Sequence, residues 1–190
     1  MTPLETLAAW IEEARNRGMS EPEAMALATS TPSGVPSVRI VLCRGIDARG
    51  LRFFTNYESR KGIELGQNPR AAVSFHWPVL GRQGRADGSV ERLSAAESDA
   101  YFQSRPRGHR LSAWASAQSR PLASQDELRR RMAELTAQYA GREVPRPPHW
   151  GGFLLRPTAV ELWTQGADRI HDRVLYELRR DGWEANRLSP

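Results

Sequence analysis

The sequence predicts a mainly β domain with peripheral helices, an α+β arrangement. Short segments rich in branched and aromatic residues alternate with Gly, Pro, Asn and Asp, a pattern typical of antiparallel strands. Turns at 32–34 and 47–50 join three such segments in succession, which predicts a meander of two hairpins. Helical periodicity is confined to isolated stretches between the strands. We therefore predict one β-barrel-like sheet with helices packed outside it.

The length and composition indicate a single domain over residues 1–190. Its 190 residues are 39% hydrophobic and 26% charged, which is ordinary for a globular domain. No apolar run approaches the roughly 20 residues of a membrane span, and the first 18 residues lack the apolar core of a secretion signal. Cys43 is the only cysteine, so no intrachain disulfide can form. A cytoplasmic location without a membrane partner is expected.

The charge pattern favours a small phosphorylated partner. The net charge is +5, and Lys61 is the only lysine among 27 basic residues. Arginine makes bidentate contacts to phosphates and carboxylates, although a compositional bias of the source genome explains the same excess. The bases are interspersed with acids and form no basic tail, so nucleic acid is not expected as a partner.

The N-terminal helix, within residues 1–20, has clear boundaries. Thr2 and Glu5 are spaced as a capping box, with proline at the first helical position. Leu4, Leu7 and Ile11 then fall on one face, and Gly18 ends the helix.

The remaining elements follow from periodicity and breakers. Helices are predicted at 59–65, at 94–104 after a serine cap, and at 124–139. Glycines within 81–94 predict a bulged strand. The predicted strands are 24–30, 36–44, 51–55, 71–77, 81–94, 153–163, 169–178 and 182–187.

Two stretches carry cations where an anion could bind. Arg60 and Lys61 stand at the start of a short helix, where free N–H groups and the helix dipole already favour a phosphate. They could equally be solvated surface bases. Arg39 interrupts an apolar strand, and a buried arginine needs either a protein carboxylate or a bound phosphate. Strand alternation puts Arg44 on the opposite face from Arg39.

Other candidates are weaker when taken alone. Tyr101 and Arg105 are four residues apart at a helix end and could face one ligand, or Arg105 could simply favour the helix dipole. Gln118 and Ser119 offer hydrogen-bonding groups. Trp163 ends a strand, where tryptophan is more often part of the core than a cofactor contact.

The segment DRIHDR, residues 168–173, is unusually charged for a β-rich region. If it were an extended strand, Arg169, His171 and Arg173 would share one face. The pattern is compatible with a solvated edge or with a functional site.

Several classes of site are excluded by their missing signatures. The chain has no dinucleotide-binding glycine pattern, no P-loop and no Gly-x-Ser-x-Gly elbow. Its four histidines lack zinc-site spacing and cysteine neighbours, so no metal is expected.

Taken together, the ordered stretches from residue 39 to residue 190 resemble the pyridoxamine (pyridoxine) 5′-phosphate oxidase family. They are RIVLCR, FFTNYESRKGIELGQNPRAAVSFHW, RQGRADGSVERLS, YFQSRPRGHRLSAWASAQS, VPRPPHWGGF and DRIHDRVLY followed by GWEANRLSP. The resemblance implies an FMN-binding split β-barrel and a homodimer. Residues 145–190 would complete a site at the subunit interface. It also implies oxidation of pyridoxamine or pyridoxine 5′-phosphate to pyridoxal 5′-phosphate, with O2 as acceptor and release of H2O2.

The resemblance also assigns residues. The positions that match the family's FMN contacts are Arg39, Ile40, Val41, Leu42, Phe54, Thr55, Arg60, Lys61, Gln83, Gln118, Ser119, Trp163 and Arg173. Those that match its substrate-phosphate contacts are Arg44, Tyr101, Arg105 and His109. Arg169 and His171 match the residues over the reacting carbon, in both catalytic and substrate-binding roles.

Two departures leave other functions open. The family usually has lysine where this chain has Arg44, and commonly serine at His109, and both changes keep a hydrogen-bond donor. Related oxidases of phenazine biosynthesis share the scaffold and act on a larger aromatic acid. Tyr101 and Arg105 favour the vitamin phosphate over that substrate. A non-catalytic flavin-binding barrel is a further alternative, which Arg169 and His171 argue against.

Overall fold

The computed structural model describes all 190 residues as five α-helices around one nine-stranded antiparallel sheet. The helices are α1 (Pro3–Asn16), α2 (Arg60–Gln67), α3 (Ala95–Ser104), α4 (Arg107–Ala115) and α5 (Gln125–Gln138). The strands are β1 (Ala24–Ser30), β2 (Pro36–Leu42), β3 (Ile46–Asp47), β4 (Gly50–Asn56), β5 (Arg70–Trp77), β6 (Arg82–Arg92), β7 (Trp150–Thr164), β8 (Asp172–Arg179) and β9 (Gly182–Arg187). The predicted fold class is confirmed.

The longest strand, β7, organises the sheet. The main path runs β2-β1-β5-β6-β7-β4-β3, and β8 and β9 branch from β7. One edge of β7 pairs with β6. The other edge is divided, because residues 150–155 pair with β4 and residues 159–164 pair with β8. The sheet therefore splits along β7 into a barrel-like part and a C-terminal extension.

The predicted meander is only partly correct. Strands β1 and β2 form a hairpin, but β2 does not pair with β4. The chain bends after Leu42: the Cys43 N–H donates to Glu23 O, whereas the Arg44 N–H donates to Arg52 O at 2.7 Å. Gly45 has φ +148°, which favours glycine at this bend. The predicted strand 36–44 therefore ends at Leu42, and the short β3 pairs with β4 instead.

Helix α1 closes one side of the main core. Its capping box between Thr2 and Glu5 is present, as predicted. Leu4, Leu7 and Ile11 are buried in a core of 20 residues that includes aromatic side chains of β4, β5 and β7. None of the five helices combines the length and the apolarity that crossing a membrane requires.

The bulge predicted within 81–94 is confirmed. The β6–β7 register shifts between Asp87 and Gly88. A side chain at Gly88 would place its Cβ 2.0 Å from the Arg156 carbonyl oxygen, so the close approach of β7 requires glycine there.

Helix α4 is not among the predicted elements. Pro106 precedes it and Gly108 lies in its first turn, and both residues are typical of loops. Leu111 and Ala113 are nevertheless buried in a second, smaller core with Val144 and Trp150. Tertiary packing overrides the weak local propensity.

The prediction of a strand over 169–178 is wrong at its start. Residues 167–169 form a single 3-10 turn, and β8 begins only at Asp172. Asp168 and Arg169 have φ of +51° and +64°, which is not an extended conformation. Arg169 and His171 therefore do not share a strand face.

Candidate active site

A cavity of about 1280 Å³ opens between β2, β4, the start of α2 and the helices α3 and α4. Most of the candidate site residues line it. From the proposed cofactor set they are Arg39, Ile40, Val41, Leu42, Phe54, Thr55, Arg60, Lys61, Gln118 and Ser119. All four proposed substrate-phosphate residues, Arg44, Tyr101, Arg105 and His109, line the same cavity.

The turn from β4 into α2 fixes one end of the cavity. Ser59 caps α2 by accepting a hydrogen bond from the Gly62 N–H at 3.3 Å. A Cβ at Gly62 would lie 2.3 Å from the Tyr57 carbonyl oxygen. Only glycine allows the first turn of α2 to pack this closely against the chain that leaves β4.

Lys61, in that first turn, is a buried cation without a carboxylate partner. It is only 8% exposed. Its Nζ donates to Thr55 Oγ1 at 3.1 Å, Ser59 Oγ at 3.3 Å and Gln118 Oε1 at 3.1 Å. Burial, with a contribution from the charge of Arg39, lowers the pKa of Lys61 to about 8. A bound anion would offset this desolvation.

Glu64 links the two arginines of the same region. It accepts a hydrogen bond from Arg60 Nε at 2.9 Å and lies 3.5 Å from Arg39 Nη2. Burial opposes its ionisation, but hydrogen bonds from Ser37 and Thr29, and from Arg60, lower the pKa of Glu64 to about 2. Glu64 is thus the carboxylate partner that a half-buried Arg39 requires.

These four groups define what we call the Glu64 cluster: Arg39, Arg60, Lys61 and Glu64. Three cations around one carboxylate leave a net charge of two positive. A phosphate monoester carries nearly two negative charges at neutral pH. The cluster therefore matches a phosphate in charge, and Lys61 gives it a cation that no protein carboxylate neutralises.

The opposite end of the cavity is built from aromatic rings, which we call the aromatic wall: Phe54, Tyr101 and Trp150. The rings of Phe54 and Tyr101 stack at 3.8 Å and 19°, and the ring of Trp150 is within 15° of parallel to that of Phe54. A Cβ at Gly152 would lie 2.7 Å from the Phe54 ring, so glycine makes room for the stack.

Arg105 lies against this wall with unused hydrogen-bonding capacity. Its guanidinium carbon is 4.6 Å from the centre of the Trp150 ring. Its Nη1 is buried and has no hydrogen-bond partner. Burial lowers the pKa of Arg105. Arg44, which lines the same cavity, instead approaches Glu23 at 3.5 Å. His109 is exposed.

The remaining candidate residues form a second group outside the cavity lining. Gln83, Trp163 and Arg173 are direct neighbours across β6, β7 and β8. The ring of His171 is 4.6 Å from that of Trp163, and its Nδ1 accepts from the Gly166 N–H at 3.3 Å. Arg169 is exposed in the 3-10 turn. We call this group the β8 patch.

A buried carboxylate also organises the β8 patch. Glu161 Oε1 accepts from Arg173 Nε and from Arg85 Nη2, both at 2.8 Å. Arg173 Nη1 also donates to the Ser189 carbonyl oxygen at 2.9 Å. Glu64, Glu161 and Trp150 are not among the site residues that the sequence indicates. Only Glu64 has a local signal, because it lies four residues after Arg60 on one helix.

The family can now be assigned. The model described as pyridoxamine 5′-phosphate oxidase matches residues 11–139, and the pyridoxine 5′-phosphate oxidase C-terminal dimerisation region matches residues 150–190. The chain belongs to the pyridoxamine 5′-phosphate oxidase family. The dimerisation region of this family model covers β7, β8 and β9, and thus includes most of the β8 patch.

Individual relatives agree with this family. The chain is 51% identical to the pyridoxine/pyridoxamine 5′-phosphate oxidase of Rubrobacter xylanophilus, over 99% of this chain and 87% of that one. It is 35% identical to PhzG of Burkholderia lata 383, solved with tetrahydrophenazine-1-carboxylic acid. That match has a TM-score of 0.94 and covers 100% of this chain and 93% of that one.

A more distant solved structure shares the fold. It is an FMN-binding protein of Nostoc punctiforme related to pyridoxamine 5′-phosphate oxidase, 20% identical, with a TM-score of 0.79. The match covers 100% of this chain and 99% of that one. The split barrel is therefore the shared architecture of these proteins.

Proposed function

We propose that this family member is an FMN-dependent oxidase that converts pyridoxamine or pyridoxine 5′-phosphate to pyridoxal 5′-phosphate. Dioxygen would be the acceptor and H2O2 the second product. One observation carries the proposal: a single cavity is lined by cations of the Glu64 cluster and, apart from them, by Arg105 with the stacked rings of the aromatic wall. Such a cavity suits two phosphorylated, planar molecules, a cofactor and a substrate.

The Glu64 cluster fits the phosphate of FMN. Lys61 is buried and pairs only with neutral acceptors, and Arg39 and Arg60 are already oriented by Glu64. The same cavity is also lined by Thr55, Gln118 and Ser119, which would add hydrogen bonds. FMN, when bound, supplies the acceptor for the hydride that leaves the substrate.

The aromatic wall is the proposed substrate end. Arg105 would bind the substrate phosphate through the part of its guanidinium that lines the cavity, and Tyr101 would supply its hydroxyl. Arg44 and His109 line the same end of the cavity and would add donors. The phosphate contacts fix the ring of the substrate in place, which is how remote binding groups promote a reaction at another atom.

We further propose a homodimer in which the β8 patch of one subunit completes the cavity of the other. Within one subunit, Gln83, Trp163 and Arg173 do not line the cavity, although they match cofactor contacts of the family. Val38 and Ile40 of β2 are 68% and 67% exposed and lie at the cavity, so they present an apolar surface for a partner.

In this dimer Arg169 and His171 are the proposed catalytic residues. Arg169 is exposed and has no carboxylate partner, so its guanidinium is available to the substrate. His171 is held by the Gly166 N–H and the Trp163 ring, which orients the imidazole. These residues would orient the reacting carbon and take up or release a proton. A cytoplasmic location is part of this proposal.

The experiment is to purify the protein with FMN and to measure peroxide release with each vitamin phosphate in turn. We expect yellow dimers that carry FMN. Peroxide and pyridoxal 5′-phosphate should be released in equal amounts. FMN binding without turnover of either vitamin phosphate would contradict the proposed substrate. Failure to bind FMN would contradict the whole proposal.

A phenazine-type oxidase is the second candidate, favoured by the close structural similarity to PhzG. The two candidates differ at the aromatic wall. A carboxylated tricyclic substrate does not need a phosphate site, whereas Arg105 keeps a buried donor free for an anion. Turnover of tetrahydrophenazine-1-carboxylic acid, without turnover of the vitamin phosphates, would select this candidate.

A further inference from the structure

Arg105 is held in an unusual way for a partly buried cation. A buried charge normally pairs with a carboxylate or satisfies its N–H groups on carbonyl oxygens. Arg105 has no ion pair, and its Nη1 is buried without a hydrogen-bond partner. What it does have is the face of the Trp150 ring, 4.6 Å from the guanidinium carbon, and the ring of Phe102 at 5.7 Å.

An aromatic face holds a cation differently from a carboxylate. A carboxylate binds the edge of the guanidinium, occupies its N–H donors and cancels its charge. A ring attracts the flat face of the group through its quadrupole and leaves the N–H edge free. Trp150 therefore stabilises Arg105 without competing with an anion for the same donors.

The Trp150 ring is itself firmly placed. Trp150 begins β7, opposite Asn56 of β4, and its carbonyl oxygen accepts from Arg146 Nη1 at 2.6 Å. The ring of Phe102 meets it edge-on at 5.1 Å. Trp150 is only 6% exposed, so its ring has little freedom to turn away from Arg105.

We propose that Trp150 is a positioning residue for the substrate phosphate, acting through Arg105. The indole face holds the guanidinium beside the cavity without occupying its N–H donors, and a phosphorylated ligand binds the part of the guanidinium that lines the cavity. This inference rests on the proposed function, because it names the group that prepares the substrate end of the same cavity.

The test measures equilibrium binding to the FMN-loaded protein with three probes: pyridoxal 5′-phosphate, pyridoxal and inorganic phosphate. The variants are Trp150→Phe, Trp150→Leu, Arg105→Ala and the double variant Trp150→Leu/Arg105→Ala. Trp77→Phe is the matched control, because Trp77 is a fully buried indole of the main core that does not line the cavity.

We expect Trp150→Leu to weaken binding of pyridoxal 5′-phosphate and of inorganic phosphate by about threefold to thirtyfold, the range between an exposed and a desolvated cation–π contact. Trp150→Phe keeps a ring and should lose less. Binding of pyridoxal should stay within twofold of wild type. In the Arg105→Ala background the Trp150→Leu change should have no further effect on phosphate binding.

Three results would overturn the inference. The first is an equal loss of pyridoxal and pyridoxal 5′-phosphate, which would indicate a merely structural role for Trp150. The second is an additive effect in the double variant. The third is phosphate binding that the Arg105→Ala change leaves unaltered. If Trp150→Leu does not fold, Trp150→Phe decides by the same criteria. If the variants lose phosphate binding as predicted, but the wild-type protein releases no peroxide with either vitamin phosphate, the proposed function is contradicted. This inference is then still supported.

Discussion

The two ends of the cavity hold their cations by opposite means. At the Glu64 cluster, a buried carboxylate and neutral oxygens fix Arg39, Arg60 and Lys61. At the aromatic wall, ring faces hold Arg105 and no carboxylate touches it. The first arrangement orients its arginines through a carboxylate and keeps a net positive charge, which suits the phosphate of a resident cofactor. The second leaves the guanidinium without a counter-charge until a ligand binds, which suits a substrate that must enter and leave.

The sharpest test of this difference is Arg105→Ala. We expect the KM for pyridoxine 5′-phosphate to rise about 10- to 100-fold, because a hydrogen bond to a charged group contributes about 1.5–3 kcal/mol. The affinity for FMN should stay unchanged. Steady-state peroxide assays and flavin fluorescence measure the two quantities.

Arg107→Ala is the matched control for that change. Arg107 lies two residues away, donates to the carbonyl oxygens of Arg142 and Tyr139, and does not line the cavity. An equal rise of KM in both variants, or a loss of FMN from Arg105→Ala, would show that the two ends are not separate sites.

The reciprocal change is Lys61→Met, at the other end. We expect FMN affinity to fall about tenfold or more, because the variant removes a buried cation from the proposed phosphate site. Titration of the cofactor-free protein with FMN gives the dissociation constant. Arg60→Gln should cost less, since the Arg60 side chain is 59% exposed and its contacts are screened by solvent. An unchanged FMN affinity in Lys61→Met would show that Lys61 does not bind the FMN phosphate.

The pH dependence of the cluster follows from the same lysine. The pKa of Lys61 is lowered from 10.5 to about 8, mainly by burial. The ammonium is lost as pH rises through about 8, so FMN affinity should fall severalfold between roughly pH 7.5 and 9. The unfolded chain keeps this proton up to about pH 10.5, so the stability of the cofactor-free protein should rise between about pH 8 and 10.5, as the destabilising buried charge is lost.

Lys61→Arg tests that assignment, because arginine stays charged throughout this range. The variant should lose the pH dependence of FMN binding between roughly pH 7.5 and 9. A wild-type affinity that is flat in pH, or a variant with the same slope, would show that Lys61 does not face the phosphate.

Glu64→Gln should change stability rather than affinity. The variant removes the carboxylate that links Arg39 and Arg60, and the free energy of unfolding of the cofactor-free protein should fall by about 1–3 kcal/mol. Bound FMN should restore part of this stability, because its phosphate provides a new counter-charge. Thermal unfolding with and without FMN measures the stability that the variant loses and the part of it that FMN restores. An equal loss in both forms would indicate that Glu64 and the cofactor do not share these arginines.

The sequence predicts local features of this molecule well. The capping box at Thr2, the serine cap of α3 and a bulge within 81–94 each depend on a few adjacent residues, and all are present. The cations at Arg60 and Lys61 could also be noticed from their place at a helix start. What this local pattern left open was whether they face solvent or a cavity.

Features that depend on distant contacts escaped prediction. Helix α4 forms because Leu111 packs into a core supplied by β7 and the segment before it. The alternation rule failed at Arg169 because positive φ values turn the chain there. Trp150 carries no local sign of its contact with Arg105, since the two residues meet only after α3 packs against β7.

The length of β7 has a genetic consequence. Trp150, at its start, borders the cavity, and Trp163, at its end, belongs to the β8 patch. Thirteen residues of strand separate them by up to about 40 Å, so in the proposed dimer each subunit gives its two halves to different sites. Two impaired alleles, Arg105→Ala and His171→Ala, should therefore complement each other. Mixed dimers would carry one intact site of the two, and co-expression would raise peroxide release at low substrate concentration above that of either variant alone.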